Sequence, residues 1–447
     1  MKINPAIFKA YDIRGVFPED ISKEAAYLIG RAFTDFLKKR NPKIAVGRDN
    51  RLSSPALFKS LVRGMVEEGA TVVDIGLATS PMFYWAVAFF KLDGGINITA
   101  SHNPSKYNGF KMVREKAMPI SENTGIKEIQ KAVLKRRFKK KPKGRIIRKK
   151  VLKSYIKASL NGFSVKKTRP LKVVIDTANA VSGIIIPKIF RGRKDKITHL
   201  FSKLEGSFPN HSPNPLIKEN LKTIRQAVKN QKADLGIAFD GDGDRLFFID
   251  EKAEIIPGDL IIALMAGLVL AENPGEKILY DVRSSNIVPE TVKAAGGIPV
   301  VWKIGHSFIK EKMRKEDIVF AGELSGHYYL RSNYFCEAPL YVFLKIMQEV
   351  SESGLKLSQM IKPFRKYFHS GEINFKVKDK KMILARLERK FKSGKILKLD
   401  GLRIDFKDWW FLVRPSNTEP LLRLVVEAKT KNLLSQKRKE LTRVITS

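Results

Sequence analysis

Gly94-Gly95-Ile96-Asn97-Ile98-Thr99-Ala100-Ser101-His102-Asn103-Pro104-Ser105-Lys106-Tyr107-Asn108-Gly109-Phe110-Lys111 joins a short strand with β-branched residues to a loop rich in turn formers. Asn-Pro and Asn-Gly are turn dipeptides, so the hydroxyl of Ser101 is set on a turn just beyond a strand end. Open α/β sheets place their ligands at such strand ends. Upstream, an amphipathic helix over 21–38 precedes an apolar strand at 43–47. A second helix over 54–68 leads to a strand at 71–76, and a third over 81–91 precedes the Ser101 strand. Strands alternating with helices of this length imply crossover connections and a buried, largely parallel sheet.

The pattern restarts twice. LKVVIDTAN at 171–179 and KILYDVRSSN at 277–286 echo the strand and loop at 43–51, each an apolar strand running into a polar loop with Asp and Asn. A spacing of roughly a hundred residues suits three related α/β units rather than a solenoid, whose repeats are far shorter. The basic run 135–150, polar and broken by Pro142 and Gly144, reads as a domain junction. From about 365 the texture changes to alternating strands bounded by turns, at 373–377, 402–406, 409–413 and 421–426. These describe a smaller α+β domain with an antiparallel sheet.

A chain of 447 residues has room for three or four domains. Its net charge of +39 is spread along the chain, since removing the 11 basic residues of 135–150 still leaves +28. No nucleic-acid-binding motif accompanies that charge, so it is read as a cationic solvated surface that would also steer small anions. A retired fold kept for binding nucleic acid is the rival from another class, and it would show a steep salt dependence. The single cysteine, Cys336, excludes an intramolecular disulfide and a cysteine zinc cluster. The start lacks the apolar core of a signal peptide, and the apolar run 260–271 is too short to span a bilayer. A soluble cytoplasmic protein is expected.

Three further loops carry chemistry. Asp240, Asp242 and Asp244 alternate with glycines between a strand at 235–239 and another at 246–249. Three crowded carboxylates repel one another and call for a hard divalent cation such as Mg²⁺. A calcium EF-hand fails because Arg245 stands where the sharp turn needs Gly and the flanks are strands. Glu323, Ser325 and His327, on a glycine-flanked loop after a strand at 318–320, suit the hydroxyls of a sugar. His306 opens a helix and could shuttle a proton. Arg414, Ser416, Asn417 and Thr418 offer a guanidinium fork, two hydroxyls and an amide to a phosphate. The arginines at 48, 51 and 14 also stand where an oxyanion could be met. Neither a P-loop nor a dinucleotide-binding fingerprint occurs.

TASHNPSKYNGFK at 99–111, DGDGDR at 240–245, GELSGH at 322–327 and RPSNTEP at 414–420 together resemble the α-D-phosphohexomutase family. YDIRG at 11–15 and KIGHSFIK at 303–310 extend the resemblance over essentially the whole chain. It implies four domains around a central cleft, three of similar mixed α/β type and a C-terminal α+β domain with an antiparallel sheet. The boundaries are placed at 1–148, 149–247, 248–362 and 363–447. It also implies a phosphoserine enzyme that interconverts hexose 1-phosphate and hexose 6-phosphate through a hexose 1,6-bisphosphate, which doubles as activator. Ser101 would carry the phosphoryl group, and Mg²⁺ would be held by Asp240, Asp242, Asp244 and an oxygen on Ser101.

By the same resemblance His102, Lys111, Arg245 and His306 join Ser101 in catalysis, with Lys111 or His306 moving a proton. Glu323, Ser325 and His327 would hold the sugar. Arg414, Ser416, Asn417, Thr418, Tyr11, Arg14 and Arg283 would hold phosphate. Leu324 matches the phosphomannomutase and phosphoglucomutase type, whereas phosphoglucosamine mutases usually carry Gln there. Arg283 replaces a common Lys, and the segment from Asn333 to Pro339 departs from the usual acidic-glycine pattern. The alternatives are a phosphoglucosamine mutase or a metal-dependent sugar phosphatase. A phosphosugar partner, no membrane, and a monomer or dimer complete the expectation.

Overall fold

The computed structural model describes residues 3–139, 141–163, 169–415 and 421–446. The chain begins with β1 (Ile13–Val16), α1 (Lys23–Phe36), β2 (Lys43–Arg48), α2 (Ser54–Glu67), β3 (Thr71–Leu77) and α3 (Ser80–Phe89). β4 (Gly94–Ile98), β5 (Tyr107–Arg114), α4 (Lys127–Lys135) and β6 (Arg145–Arg148) complete the first sheet, in the order β1-β5-β4-β2-β3-β6. β2 runs parallel to β3 and β4, but β5 is antiparallel to both β4 and β1. The Ser101 loop is therefore the tip of a hairpin on the flank of a parallel core.

Helix α1 starts where the Ser22 hydroxyl accepts the Ala25 amide, satisfying one of the free donors of the first turn. Its apolar stripe (Ala25, Ala26, Ile29, Phe33) packs with α2 over the sheet. The two helices cross at glycines. A Cβ on Gly64 would meet the Tyr27 carbonyl oxygen at 2.1 Å, and one on Gly30 would meet that of Leu61 at 2.2 Å. Neither backbone can yield without separating the helices. Gly64→Ala should therefore destabilise the fold by about 1–3 kcal/mol despite its better helix propensity. Urea denaturation checks this, and a variant as stable as the parent would show that the helices are free to part.

The basic run 135–150 is not a bare junction. Arg145–Arg148 forms β6, which adds in parallel to β3 at the sheet edge. Its flanking Lys and Arg residues mask any strand signal, and all four positions of the strand are exposed. Charged edges of this kind resist edge-to-edge pairing.

After α5 (Leu152–Leu160), the second sheet holds β7 (Lys172–Asp176), β8 (Lys196–Leu200), β9 (Leu235–Phe239), β10 (Leu246–Asp250) and β11 (Ile255–Ile256), with α6 (Ile186–Ile189) and α7 (Lys222–Gln231) between strands. Its order is β11-β10-β9-β7-β8. The plan repeats: β9 and β8 run parallel to β7, and β10 folds back antiparallel on β9. The aspartate loop is the tip of that hairpin.

The chain then forms α8 (Gly258–Glu272), β12 (Lys277–Asp281), α9 (Ile287–Ala294), β13 (Ile298–Trp302), α10 (His306–Glu316) and β14 (Phe320–Gly322). β13 and β14 flank β12 in parallel. The third strand lies two residues later than the sequence suggests, because Ile318 and Val319 are spent on the approach. α8 is buried nearly all round, so its sequence is apolar without a polar face. β15 (Tyr328–Leu330), β16 (Cys336–Glu337) and α11 (Pro339–Ser353) follow, and the two strands pair antiparallel. Last come α12 (Leu357–Ile361), β17 (Phe368–His369), β18 (Ile373–Lys376), α13 (Lys380–Lys390), β19 (Lys395–Leu397), β20 (Leu402–Asp405), β21 (Trp409–Pro415), β22 (Leu421–Ala428) and α14 (Lys431–Thr446). The sheet order is β17-β22-β21-β20-β19 with β18 also on β22, all antiparallel, over a core that includes Trp409, Phe411 and Leu424.

Two compact units result, one of residues 1–256 with 325–358, the other of 257–324 with 359–447. Among the described residues no helix is long and apolar enough to cross a membrane.

The threefold echo in the sequence has one structural cause. Asp176 and Asp281 each end a strand, Asp49 directly follows one, and all three accept the backbone amide two residues on, from Ala178 (2.8 Å), Arg283 (2.7 Å) and Arg51 (3.0 Å). The carboxylate imitates a backbone turn and releases the chain from the sheet.

In the second unit, burial pushes the Asp259 carboxyl up to about 6, although the Leu260 and Ser285 amides donate to it. The folded state thus holds a proton that the unfolded chain, near 3.8, releases first. Stability from Asp259 is complete below about pH 4 and is lost as pH rises toward 6, by up to about 3 kcal/mol. Asp259→Asn should remove that slope while keeping one of the two acceptor bonds, since its amide nitrogen takes the place of the other oxygen. Unfolding free energies of parent and variant at pH 4 and pH 7 check this, and parallel profiles would show Asp259 ionised throughout.

Candidate active site

Ser101 is 3% exposed and sits at φ 51°, in the left-handed region that few side-chain-bearing residues adopt. Holding it there costs of order 1–3 kcal/mol, and neighbouring groups must supply the constraint. Arg51 supplies most of it. Its fully buried guanidinium donates to the carbonyls of Ser101 (2.7 Å), Asn103 (2.7 Å), Pro104 (2.7 Å) and Tyr107 (3.0 Å). Asp49 takes its Nε at 3.0 Å. The Thr99 hydroxyl accepts the Ser101 amide. Arg51 is thus a clamp on the serine loop and not a seat for an oxyanion. Arg14 adds a second tie, donating to the Asn103 side chain at 2.8 Å and to Asp12. Tyr11, in the segment leading into β1, is half-buried.

The aspartate loop reaches this serine directly. The Ser101 hydroxyl donates to Asp240 Oδ2 at 2.9 Å and lies 3.2 Å from His102 Nδ1. Gly241 makes the approach possible, since a Cβ there would meet the Ser101 carbonyl oxygen at 2.3 Å. Asp240 Oδ1 accepts the amides of Asp244 and Arg245, which closes the loop on itself. Lys111, on β5, spans the other two carboxylates with Nζ 2.6 Å from Asp242 Oδ2 and 2.5 Å from Asp244 Oδ2. Ser80, at the start of α3, donates its hydroxyl to Asp242 and takes an Asn97 amide proton.

Each group's protonation follows from this crowd. Burial, then repulsion from Asp244 and Asp242, drives the Asp240 carboxyl well above the usual range. Burial alone would do the same to Asp244, but Lys111 and His327 hold it well below. Lys111 is buried, yet Asp242 and Asp244 raise it well above an ordinary lysine, so it stays cationic. Burial and the charges of Arg245 and Arg14 push His102 far down, leaving a neutral ring.

Asp240, Asp242 and Asp244 bring one oxygen each within 4.8 Å of one another, all buried. Among the described residues Asp242 Oδ1 has no hydrogen-bond partner, and Asp244 Oδ1 faces the His327 ring at 3.3 Å. A partnerless carboxylate oxygen beside two further buried carboxylates leaves an acceptor that Lys111 does not reach. The donor set fits a hard divalent ion.

His327 joins the same cluster. Its backbone bridges to Arg245, and the Leu246 amide donates to the Gly326 carbonyl. The ring lies 3.3 Å from Asp244 and 3.0 Å from the Ser325 hydroxyl, with Arg245 Nε 3.4 Å away. Arg245 is 3.9 Å from Asp240. The first unit therefore gathers Ser101, His102, Lys111, the three aspartates, Arg245, Ser325 and His327, with Arg14 tied to the serine loop.

The second unit carries a set of its own. Asp281 grips the Arg283 fork from both oxygens, at 3.1 and 2.8 Å, and accepts the Leu324 amide at 2.8 Å. Arg283 lies 3.9 Å from Glu323, and Glu323 accepts the Gly305 amide at 3.3 Å, next to His306. One carboxylate network thus links three loops that the sequence separates. Arg414 lies 3.9 Å from Asp400, and burial lowers the proton affinity of its guanidinium. Ser416, Asn417 and Thr418 lie outside the described residues. Sequence reasoning missed Arg51 as a loop clamp, and missed Ser80 and Asn97 behind Asp242. No local pattern marks them, since Ser80 and Asp242 are 162 residues apart.

The chain matches the four domains of phosphoglucomutase/phosphomannomutase: the α/β/α domains I, II and III over residues 5–140, 153–254 and 257–367, and the C-terminal domain over 372–444. A phosphomannomutase of Vibrio cholerae is 40% identical over 452 aligned residues, covering 98% of each chain. One from Methanocaldococcus jannaschii is 39% identical, covering 98% of this chain and 97% of its own. The crystal structure of a phosphoglucomutase/phosphomannomutase family protein from Burkholderia thailandensis superposes with a TM-score of 0.92 at 32% identity, over 99% of this chain and 97% of that one. With matches in all four domains and identities near 40% over almost its full length, the chain belongs to the phosphoglucomutase/phosphomannomutase family and is an isomerase of that family.

Proposed function

We propose that the protein interconverts hexose 1-phosphates and hexose 6-phosphates of mannose and glucose through a phosphoserine at Ser101 and a hexose 1,6-bisphosphate. The observation that carries this is the hydroxyl of a buried, conformationally constrained serine 2.9 Å from one of three clustered carboxylates. In the first transfer the bond from Ser101 Oγ to phosphorus breaks and a bond from the sugar's free hydroxyl to the same phosphorus forms. The hydroxyl gives up its proton to a base, and Ser101 Oγ is reprotonated. The bisphosphate turns over and the reverse transfer returns its other phosphoryl group to Ser101. Phosphoryl transfer needs positioning and charge neutralisation above all. Arg51 holds the Ser101 backbone, and Lys111 and Arg245 place positive charge around the carboxylates that face it. Mg²⁺, held by Asp240, Asp242 and Asp244, would supply Lewis acidity.

His102, neutral and beside Ser101 Oγ, orients that oxygen; of the two proton-transfer candidates, His306 takes the sugar hydroxyl's proton, while cationic Lys111 can only give one, to Ser101 Oγ. Glu323, Ser325 and His327 receive the sugar hydroxyls. Arg283, Arg414, Arg14 and Tyr11, with Ser416, Asn417 and Thr418, grip the phosphate remote from Ser101. Leu324, apolar where glucosamine mutases carry Gln, favours a hydroxyl over an amine at the sugar's second carbon. Domain limits near 148, 247 and 362, a cytoplasmic setting and a monomer or dimer belong to the same reading.

The deciding experiment is turnover of mannose, glucose and glucosamine 1-phosphates side by side, with Mg²⁺ and a trace of bisphosphate. The first two should give 6-phosphates, with glucosamine at least about tenfold slower in kcat/KM. Faster glucosamine turnover would reassign the substrate. Release of inorganic phosphate without isomerisation would make the protein a phosphatase.

A further inference from the structure

The hairpin that carries the aspartate loop has another end. β9 enters that loop at Asp240, and β10 leaves it after Arg245. At their opposite ends lie the turn before β9 and the turn between β10 and β11, and each strand is five residues long. At about 3.3 Å per residue the two ends are roughly 15–20 Å apart. Between those turns and helix α7 lies a cavity of about 750 Å³.

The lining is strongly basic. Lys222, Arg225 and Lys229 stand at i, i+3 and i+7 on one face of α7, while Ile224 and Val228 bury the opposite face against the sheet. Lys232 and Lys252 close the cavity from the two turns. None of the ammonium groups of Lys222, Lys229, Lys232 and Lys252 has an ion-pair or hydrogen-bond partner among the described residues. The Arg225 side chain is fixed by donation of its Nε to the Ala253 carbonyl at 2.7 Å, which leaves its outer nitrogens for another acceptor. Two acids also line the cavity, but both are engaged elsewhere. Asp234 accepts the Lys172 amide and the Arg169 guanidinium, and Glu251 accepts the amide and hydroxyl of Ser358. The carboxylates hold the walls, and the cations are left over.

Cations that repel one another and converge from three segments are a cost in the empty protein and a gain once a multivalent anion enters. Their convergence on a concavity of small-ligand size, rather than along a flat track, favours a compact ligand over a polymer. We propose that this cavity is a second anion site, separate from the Ser101 centre, that binds a small oligophosphate with three or more negative charges. Inorganic tripolyphosphate is the probe.

The test is calorimetric titration of tripolyphosphate into the full-length protein at 0.05 and 0.2 M salt, with saturating glucose 1,6-bisphosphate occupying the catalytic centre. One tripolyphosphate per chain should bind, more weakly at the higher salt. The triple variant Lys222→Ala, Lys229→Ala, Lys252→Ala should weaken binding at least tenfold while its mutase turnover stays at the parent value. Lys229→Arg alone should bind as the parent does. Equal affinity in parent and triple variant would overturn the site. So would loss of all binding when the bisphosphate is present, which would place the anion at Ser101. A duplex DNA probe that binds more tightly than tripolyphosphate at 0.2 M salt, and is weakened by the same variant, would replace the compact ligand with a nucleic acid.

Discussion

Ser101→Ala should lower mutase turnover by about 10³–10⁵-fold while leaving the fold intact, the scale expected when a nucleophile is removed from a site that still binds its substrate. The variant loses the hydrogen bond to Asp240 and the contact with His102, but the clamp from Arg51 goes to the carbonyl of residue 101 and survives any side chain. Its unfolding free energy should stay within about 1–2 kcal/mol of the parent's. The parent, isolated from an active preparation, should carry phosphate on the peptide containing Ser101, and the variant should carry none. Coupled turnover and peptide mass measurement read the two effects independently. Near-parental turnover in the alanine variant would remove the phosphoserine mechanism, whatever the family.

The second large effect is expected at Arg51, which touches no substrate in this reading. Arg51→Met keeps most of the stem's volume but deletes donors to four carbonyl oxygens and to Asp49. Leaving a buried carboxylate and several carbonyls unpaired costs about 3–5 kcal/mol. The serine loop would also be released from its left-handed conformation at residue 101, so kcat should fall more than KM rises. Arg51→Lys keeps the charge without the planar fork and should recover only part of the loss. Denaturant unfolding and steady-state kinetics on both variants check this. A methionine variant of parental stability would mean that the loop holds its shape without the guanidinium.

Much of the site was legible because chemistry left dense local patterns. Asp240, Asp242 and Asp244 fall within five residues, and nothing apolar competes with a metal for so many oxygens. Ser101 stood out through its turn residues. The threefold strand-and-loop echo was visible because each unit leaves its sheet by the same aspartate-capped turn. Other features were illegible for equally specific reasons. β6 hid in a basic run because an exposed edge strand needs no alternation. Arg51 looked like an oxyanion binder because an arginine in a polar loop reads the same whether its acceptors are phosphates or carbonyls. The sheets read as parallel from their helical connections, whereas β5 and β10 turn back as hairpins.

Periodicity and short motifs depend on neighbours along the chain, so the residues alone were enough for the class of fold and for singling out the Ser101 and aspartate loops that meet in the structure. Pairings across long separations are a different matter. Folding had to bring Lys111 between Asp242 and Asp244, set His327 against Asp244, and tie Arg283 to both Asp281 and Glu323. Each of these contacts joins side chains whose mutual distance depends on how strands and loops stack, a quantity that no local stretch of sequence encodes.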